Sequence, residues 1–88
     1  MNRDGLIIDE NGTKYWYLNG KFHRTDGPAI EYTNDHKEWY INGKCHRTDG
    51  PAIEHSNGNK YWYINGEYLS EDDYLQITRN EKLQKLGI

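Results

Sequence analysis

Asn19-Gly20-Lys21-Phe22-His23-Arg24-Thr25-Asp26-Gly27-Pro28-Ala29-Ile30-Glu31 returns 23 positions later as Asn42-Gly43-Lys44-Cys45-His46-Arg47-Thr48-Asp49-Gly50-Pro51-Ala52-Ile53-Glu54, with Phe22 against Cys45 as the one change. A fixed period of this length marks a stacked-repeat architecture, in which each unit buries its apolar side only against its neighbours. Trp16, Trp39 and Trp62 keep the interval, and so do Asn19-Gly20, Asn42-Gly43 and Asn65-Gly66. A weaker opening copy, Asp4-Gly5-Leu6-Ile7-Ile8-Asp9, matches Asp26 to Glu31 at a shift of 22, which predicts a first turn one residue shorter than the others. The third copy is truncated: Glu67-Tyr68-Leu69-Ser70 stands where the others carry Lys-x-His-Arg, as expected of a terminal unit that caps a stack.

Within each unit the runs Tyr15-Trp16-Tyr17-Leu18, Trp39-Tyr40-Ile41 and Tyr61-Trp62-Tyr63-Ile64 are aromatic and β-branched and stop at Asn-Gly, a strand signal. Their partners are Leu6 to Asp9, Ala29 to Tyr32 and Ala52 to His55, joined to them by polar turns. Pro28 and Pro51 fall at the strand starts, where a missing backbone donor is tolerated. The expectation is a mainly β fold, a meander of about six antiparallel strands in stacked hairpins, with units near 4–20, 26–43 and 49–66 inside a repeat sheet of residues 1–69. Alternation puts Trp16, Trp39 and Trp62 with Leu18, Ile41 and Ile64 on one face and Tyr17, Tyr40 and Tyr63 on the other. Ile8, Ile30 and Ile53 are assigned to the Trp face, taken as the core, and the Tyr row is expected among Lys, Glu and Ala.

Residues 70–88 change character. Ser70 followed by Glu71-Asp72-Asp73 reads as a capped helix start with acidic residues in its first turn. Tyr74, Leu75, Thr78, Leu83 and Leu86 share a broad helical face, Ile77 does not, and Asn80 is a point where the helix could break in two. This helix should seal the last hairpin, since the Trp62 strand would otherwise be a bare edge. One short helix cannot cover both sides of such a sheet, so one aromatic row stays open; the pattern leaves undecided which.

Composition bounds the function. At 88 residues one domain is expected, and 14% aromatic residues supply what the 34% hydrophobic content lacks. A net charge of −3, with signs mixed along the chain, gives no basic field for general nucleic-acid binding. No apolar run is long enough to span a bilayer, and a single cysteine, Cys45, allows no intrachain disulfide, so a cytoplasmic setting is expected.

The candidate chemistry lies in His23-Arg24-Thr25-Asp26 and His46-Arg47-Thr48-Asp49. Equivalent residues of neighbouring hairpins stand two strands, about 9.5 Å, apart, too far for His23 and His46 to share a metal. A repeated loop also argues against a catalytic pocket, which pairs unlike residues once, so no catalytic residue, metal or cofactor is assigned. The structural reading has Asp26 and Asp49 fixing the turn before Gly-Pro, Arg24 and Arg47 pairing with them or with Glu31 and Glu54, and the histidines bonding locally. His36 and His55 sit at turns and carry no further signal. The binding set is therefore Tyr17, Tyr40 and Tyr63 of the sheet with His23, Arg24, Asp26, His46, Arg47 and Asp49 of the loops.

Tyr17-Leu18-Asn19-Gly20-Lys21-Phe22-His23 and Tyr40-Ile41-Asn42-Gly43-Lys44-Cys45-His46 resemble the MORN repeat, over roughly residues 4 to 69. The resemblance implies β-hairpins stacked into an elongated sheet and scaffold or interaction roles, with lipid binding among those proposed for the family. This chain departs from the pattern where Arg-Thr-Asp-Gly-Pro replaces the usual glycine-rich segment and where Tyr replaces the customary Trp. The variant is similar to repeats in small proteins of bacteriophages and large DNA viruses, so the expected partner is a host protein, with inhibition of host defence as the expected outcome. The alternative is a small nucleotide stacked on Tyr and Trp with its phosphate on Arg24 or Arg47. A homodimer through the edge near residues 4–9 or through the open face is a further expectation.

Overall fold

A computed structural model describes residues 4–85. The strands are β1 (Gly5–Ile8), β2 (Lys14–Leu18), β3 (Lys21–Phe22), β4 (Ile30–Glu31), β5 (Lys37–Glu38), β6 (Tyr40–Ile41), β7 (Lys44–Cys45), β8 (Ile53–Glu54), β9 (Lys60–Ile64) and β10 (Glu67–Leu69), followed by the helix α1 (Glu71–Lys85). Every pairing is antiparallel. The six expected strands are all present, the middle one divided at Trp39 into β5 and β6. Three short strands are added, β3, β7 and β10, one after each Asn-Gly.

Those additions follow from turn chemistry. Asn19 and Gly20 have φ of 53° and 76°, Asn42 and Gly43 51° and 80°, and Asn65 and Gly66 51° and 83°. Two successive positive φ values make the tight hairpin turn that folds the chain straight back on itself. Leu18 thus faces Lys21, Ile41 faces Lys44, and Ile64 faces Glu67. The returning strand also bonds forward to the next unit: Gly43 N–H donates to the Phe22 carbonyl at 2.8 Å and Gly66 N–H to that of Cys45 at 2.8 Å.

The register corrects the alignment of the opening copy. Ile7 lies opposite Tyr15 and Ile8 opposite Lys14, as Ile30 and Glu31 lie opposite Glu38 and Lys37. The shift is therefore 23, and the loops 9–13, 32–36 and 55–59 have equal length. Each closes with the same pair of backbone bonds, Asp9 to Thr13, Tyr32 to His36 and His55 to Asn59 across the base, with Gly12, Asp35 and Gly58 donating back into the turn. Similarity of the apolar pair Ile7-Ile8 to Ala29-Ile30 misleads because turn geometry sets the register.

The same register gives the two faces. Extending the pairs one step places Leu6, Trp16, Ala29, Trp39, Ala52, Trp62 and Leu69 in one row across the sheet. Bulky indoles alternate with methyl groups, and Ala29 and Ala52 are completely buried between them. On the reverse lies Ile7, Tyr15, Ile30, Glu38, Ile53 and Tyr61. Ile30 and Ile53 thus belong to the Tyr face, contrary to expectation. Of the Lys, Glu and Ala expected to flank the tyrosines, Glu38 lies on the Tyr face, whereas Lys14, Glu31, Lys37, Glu54 and Lys60, with Ala29 and Ala52, stand on the Trp face.

Ser70 caps α1, its hydroxyl accepting from Asp73 N–H at 3.2 Å, and the helix runs through Asn80 without a break. It lies on the Trp face over the third unit, where Tyr74 meets Trp62 with ring centroids 6.3 Å apart. The bare edge of β9 is taken by β10, with Leu69 opposite Trp62, and the helix covers the face instead. Of the expected apolar stripe Tyr74 and Thr78 are buried and Leu75 is exposed; Leu83 and Leu86 lie outside the described side chains. Among the described residues no helix is long and apolar enough to cross a membrane.

The molecule measures 47 × 33 × 18 Å, with a radius of gyration of 14.3 Å. A compact chain of this length has about 12 Å. Its accessible surface of 6224 Å² likewise exceeds the roughly 5,400 Å² usual for its mass. A single sheet with one helix at one end accounts for both, and among the described residues no large side chain is fully buried.

Candidate functional site

The segment from β3 to β4 carries the loop His23–Pro28, and that from β7 to β8 its copy, His46–Pro51. In each, the backbone leaves the sheet after the short strand and crosses the Trp face. Arg24 lays its guanidinium 3.8 Å from the Trp16 ring, and Arg47 does the same over Trp39. Each guanidinium is further held by three acceptors: Arg24 donates to Asp26 at 2.8 Å, to Glu31 at 2.9 Å and to the Pro28 carbonyl at 3.1 Å. Arg47 repeats this with Asp49, Glu54 and Pro51. The sequence left open whether arginine takes the aspartate or the glutamate; it takes both. The glycine of each loop supplies room, since a Cβ on Gly27 or Gly50 would stand 2.9 Å from the central carbon of the guanidinium.

This arrangement fixes the electrostatics. Each arginine faces two carboxylates, so each loop retains one negative charge. The Arg24 guanidinium holds the Asp26 carboxyl below its usual range through a direct bond and its charge. Asp26 and Asp49 keep 83% and 84% of their side chains in solvent, each with one carboxylate oxygen bonded to arginine Nε. Between the two loops lies a cleft of about 410 Å³ lined by both loops together with Trp39 and Ile41.

The histidines act between units. His23 Nδ1 accepts from Asn42 N–H at 3.0 Å, and His46 Nδ1 from Asn65 N–H at 2.9 Å. In the first unit the Asp4 carboxylate does the same for Asn19 N–H at 2.6 Å. Each Asn-Gly turn is thus anchored by an acceptor from the preceding segment, which explains why a histidine recurs here. Its ring proton is accordingly on Nε2. Replacing His46 by alanine leaves the Asn65 N–H to water and is expected to lower stability by about 1 kcal/mol, read from the urea midpoint of tryptophan fluorescence.

On the Tyr face, Tyr17 and Tyr40 flank Phe22, with ring centroids 5.0 and 5.4 Å from it. Tyr63 pairs with Tyr68 at 5.6 Å. At Cys45, which stands where the preceding copy has Phe22, the ladder is interrupted. A second aromatic run, Tyr32, His36, His55 and Tyr61, crosses the same face with His36 and His55 only 4.4 Å apart. His36 and His55 stand at the ends of their turns, as expected, and belong to the aromatic surface as well. Glu38 ties the runs together, accepting from Tyr40 Oη at 2.8 Å and from His36 Nε2 at 2.7 Å. The spacing of 36, 38 and 40 along an alternating strand was the available signal.

Burial, followed by the Glu38 charge, pushes the Cys45 thiol up to about 12; burial and the bond to Glu38 raise the Tyr40 phenol well above its usual range. Groups whose folded pKa is raised stabilise the fold fully below their unfolded values of 9.0 and 10.0 and lose that contribution as pH climbs toward the folded ones. Stability should therefore fall by on the order of 1 kcal/mol from pH 8 to pH 10, mainly through Cys45. Urea midpoints at the two pH values, compared with those of Cys45→Ala, check this; a flat profile in the native chain contradicts it.

Among the described residues no group of three or more His, Cys, Asp or Glu is placed to hold a metal ion. No protein-family model matches the chain, nor does a curated protein or a solved structure.

Proposed function

We propose that the chain is a protein-interaction module that docks its partner on the Tyr face. The observation that carries this is asymmetry of cover. The Trp face is occupied by two arginine loops and, through Tyr74, by α1, whereas no described element packs over the aromatic surface formed by Tyr17, Tyr40, Tyr63 and the Tyr32 to Tyr61 run. An aromatic surface whose rings are half-buried against one another and covered by no other described element has the composition of an interface centre, although Leu6, Ile8 and Leu18 on the Trp face of the first hairpin are exposed too, and tyrosines supply contact area at low entropic cost. The MORN-like reading of the repeat points the same way, toward a protein partner. In a small phage or viral chain that partner is a host protein whose activity is blocked. The nucleotide reading loses its phosphate contact, because Arg24 and Arg47 are each neutralised by two carboxylates.

The test is affinity capture from host lysate with the native chain, with a Tyr17→Ser, Tyr63→Ser, Tyr68→Ser variant and with an Asp26→Asn, Asp49→Asn loop variant. A stoichiometric protein partner retained by the loop variant and lost with the Tyr-face variant is the expected result. Retention by the Tyr-face variant, or no stoichiometric partner at all, overturns the proposal.

A further inference from the structure

The two ends of the sheet are finished differently. At one end β10 carries Glu67, α1 lies against it, and the row Lys14, Glu31, Lys37, Glu54 and Lys60 runs out in a lysine. At the other end stands β1, Gly5-Leu6-Ile7-Ile8, without a charge, a proline or a bulge, the devices that ordinarily keep an edge strand from pairing. Leu6 occupies the place of Ala29 and Ala52, and Ile8 that of Glu31 and Glu54. The strand with no outer neighbour among the described residues is thus more apolar than its inner copies, and Leu6 and Ile8 are 48% and 55% exposed. The main chain matches. Asp9 N–H donates to the Thr13 carbonyl, and Ile7 and Gly5 alternate with Asp9 in facing Tyr15 and Tyr17 of β2, so the N–H and C=O groups of Leu6 and Ile8 point outward.

We infer that β1 pairs antiparallel with β1 of a second copy of this chain, in a twofold dimer whose axis passes Ile7. Leu6 and Ile8 are symmetric about Ile7, so Leu6 of each copy faces the partner's Ile8, and each such pair exchanges both of its N–H···O bonds. Apolar side chains then meet on both faces: Leu6 and Ile8 beside Trp16 on one, and the two Ile7 residues between Tyr15 rings on the other. Self-complementarity selects the occupant. Stacking copies head to tail would instead set Ile8 against Lys60, where the repeat has Glu31 and Glu54 beside lysine. The dimer presents the Tyr face of both copies on one side, but the inference does not rest on the Tyr-face proposal, and failure of one leaves the other standing.

Sedimentation velocity of the native chain from about 10 μM to about 1 mM is the test, at about 0.5 M salt to screen the acidic residues that bracket the strand in each copy, Asp4 and Asp9. A monomer–dimer equilibrium with Kd about 100 μM is expected of an interface below standard size. Leu6→Lys with Ile8→Lys sets lysines opposite one another across the axis and should abolish the dimer over this range; both positions are exposed enough to leave the monomer folded. In a Cys45→Ala background, Ile7→Cys should crosslink the dimer on mild oxidation, since its pair lies close across the axis, and Ile8→Cys, facing Leu6, should do so about tenfold more slowly. A chain that stays monomeric at the highest concentration, assemblies that grow past the dimer, a dimer kept by the lysine variant, or equal crosslinking at positions 7 and 8 each overturns the inference. The concentration series uses the native chain and stands even if a variant fails to fold.

Discussion

Tyr74→Ala is expected to lower stability by about 3 to 5 kcal/mol, a large share of what a sheet of this size can possess. Among the described residues Tyr74 is the largest buried side chain, with only 3% of its surface in solvent. Its ring covers Trp62, and its hydroxyl joins the helix to the preceding unit, donating to the Arg47 carbonyl at 2.7 Å and accepting from Gly50 N–H at 3.0 Å. Alanine removes the ring and both bonds together, uncovering the last indole and the backbone of the second loop. Tyr74→Phe keeps the ring and should cost about 1 to 3 kcal/mol, the price of two backbone groups left unpaired. Leu75→Ser, at a position 47% exposed, should stay within about 0.5 kcal/mol of the native chain. Urea denaturation followed by tryptophan fluorescence measures all three. A loss below about 1 kcal/mol for Tyr74→Ala would mean that the helix does not hold the third unit.

Tyr74 also shows where the sequence stops being readable. Its place on the apolar face of a capped helix was legible from Ser70 and the acidic first turn, because capping and helical period are local properties. That it substitutes for an arginine was not, since the equivalence between Arg24 over Trp16, Arg47 over Trp39 and Tyr74 over Trp62 exists only in space. The sheet was legible for the same local reason: Asn-Gly dictates a tight hairpin, and the aromatic runs dictate strands. The short strands β3, β7 and β10 were not, because two or three residues carry too little pattern to register as a strand. Ile8 stands on the Trp face and Ile30 and Ile53 on the other, one residue out of register with it, so the three do not form one row. Such a slip inverts a face, which is why the fixed 23-residue turn spacing is better evidence than local similarity. In the loops the roles of Arg24, Asp26 and the histidines as internal ties followed from their repetition. The coupling of His23 to Asn42 did not, since it joins residues 19 positions apart in neighbouring units.

The same equivalence yields the second large effect. Arg47→Ala is expected to cost about 2 to 4 kcal/mol through three separate losses: the stack on Trp39, the pair with Glu54, and the bond to the Pro51 carbonyl. The Asp49 contact adds little, for Asp49 is almost wholly in water while Glu54 is only 31% exposed. Double-mutant cycles separate these contributions. Arg47 with Glu54 should couple by about 1 kcal/mol and Arg47 with Asp49 by less than about 0.3 kcal/mol. Lysine at position 47 should recover under half the loss, since it restores the charge opposite Glu54 but neither the planar stack nor the fork. Gly50→Ala should reproduce part of the loss in an otherwise native chain, because its Cβ would displace the guanidinium, and should add little to Arg47→Ala. Strict additivity of those two substitutions, or full rescue by lysine, would show that arginine serves here as a charge alone and not as the layer that covers the indole.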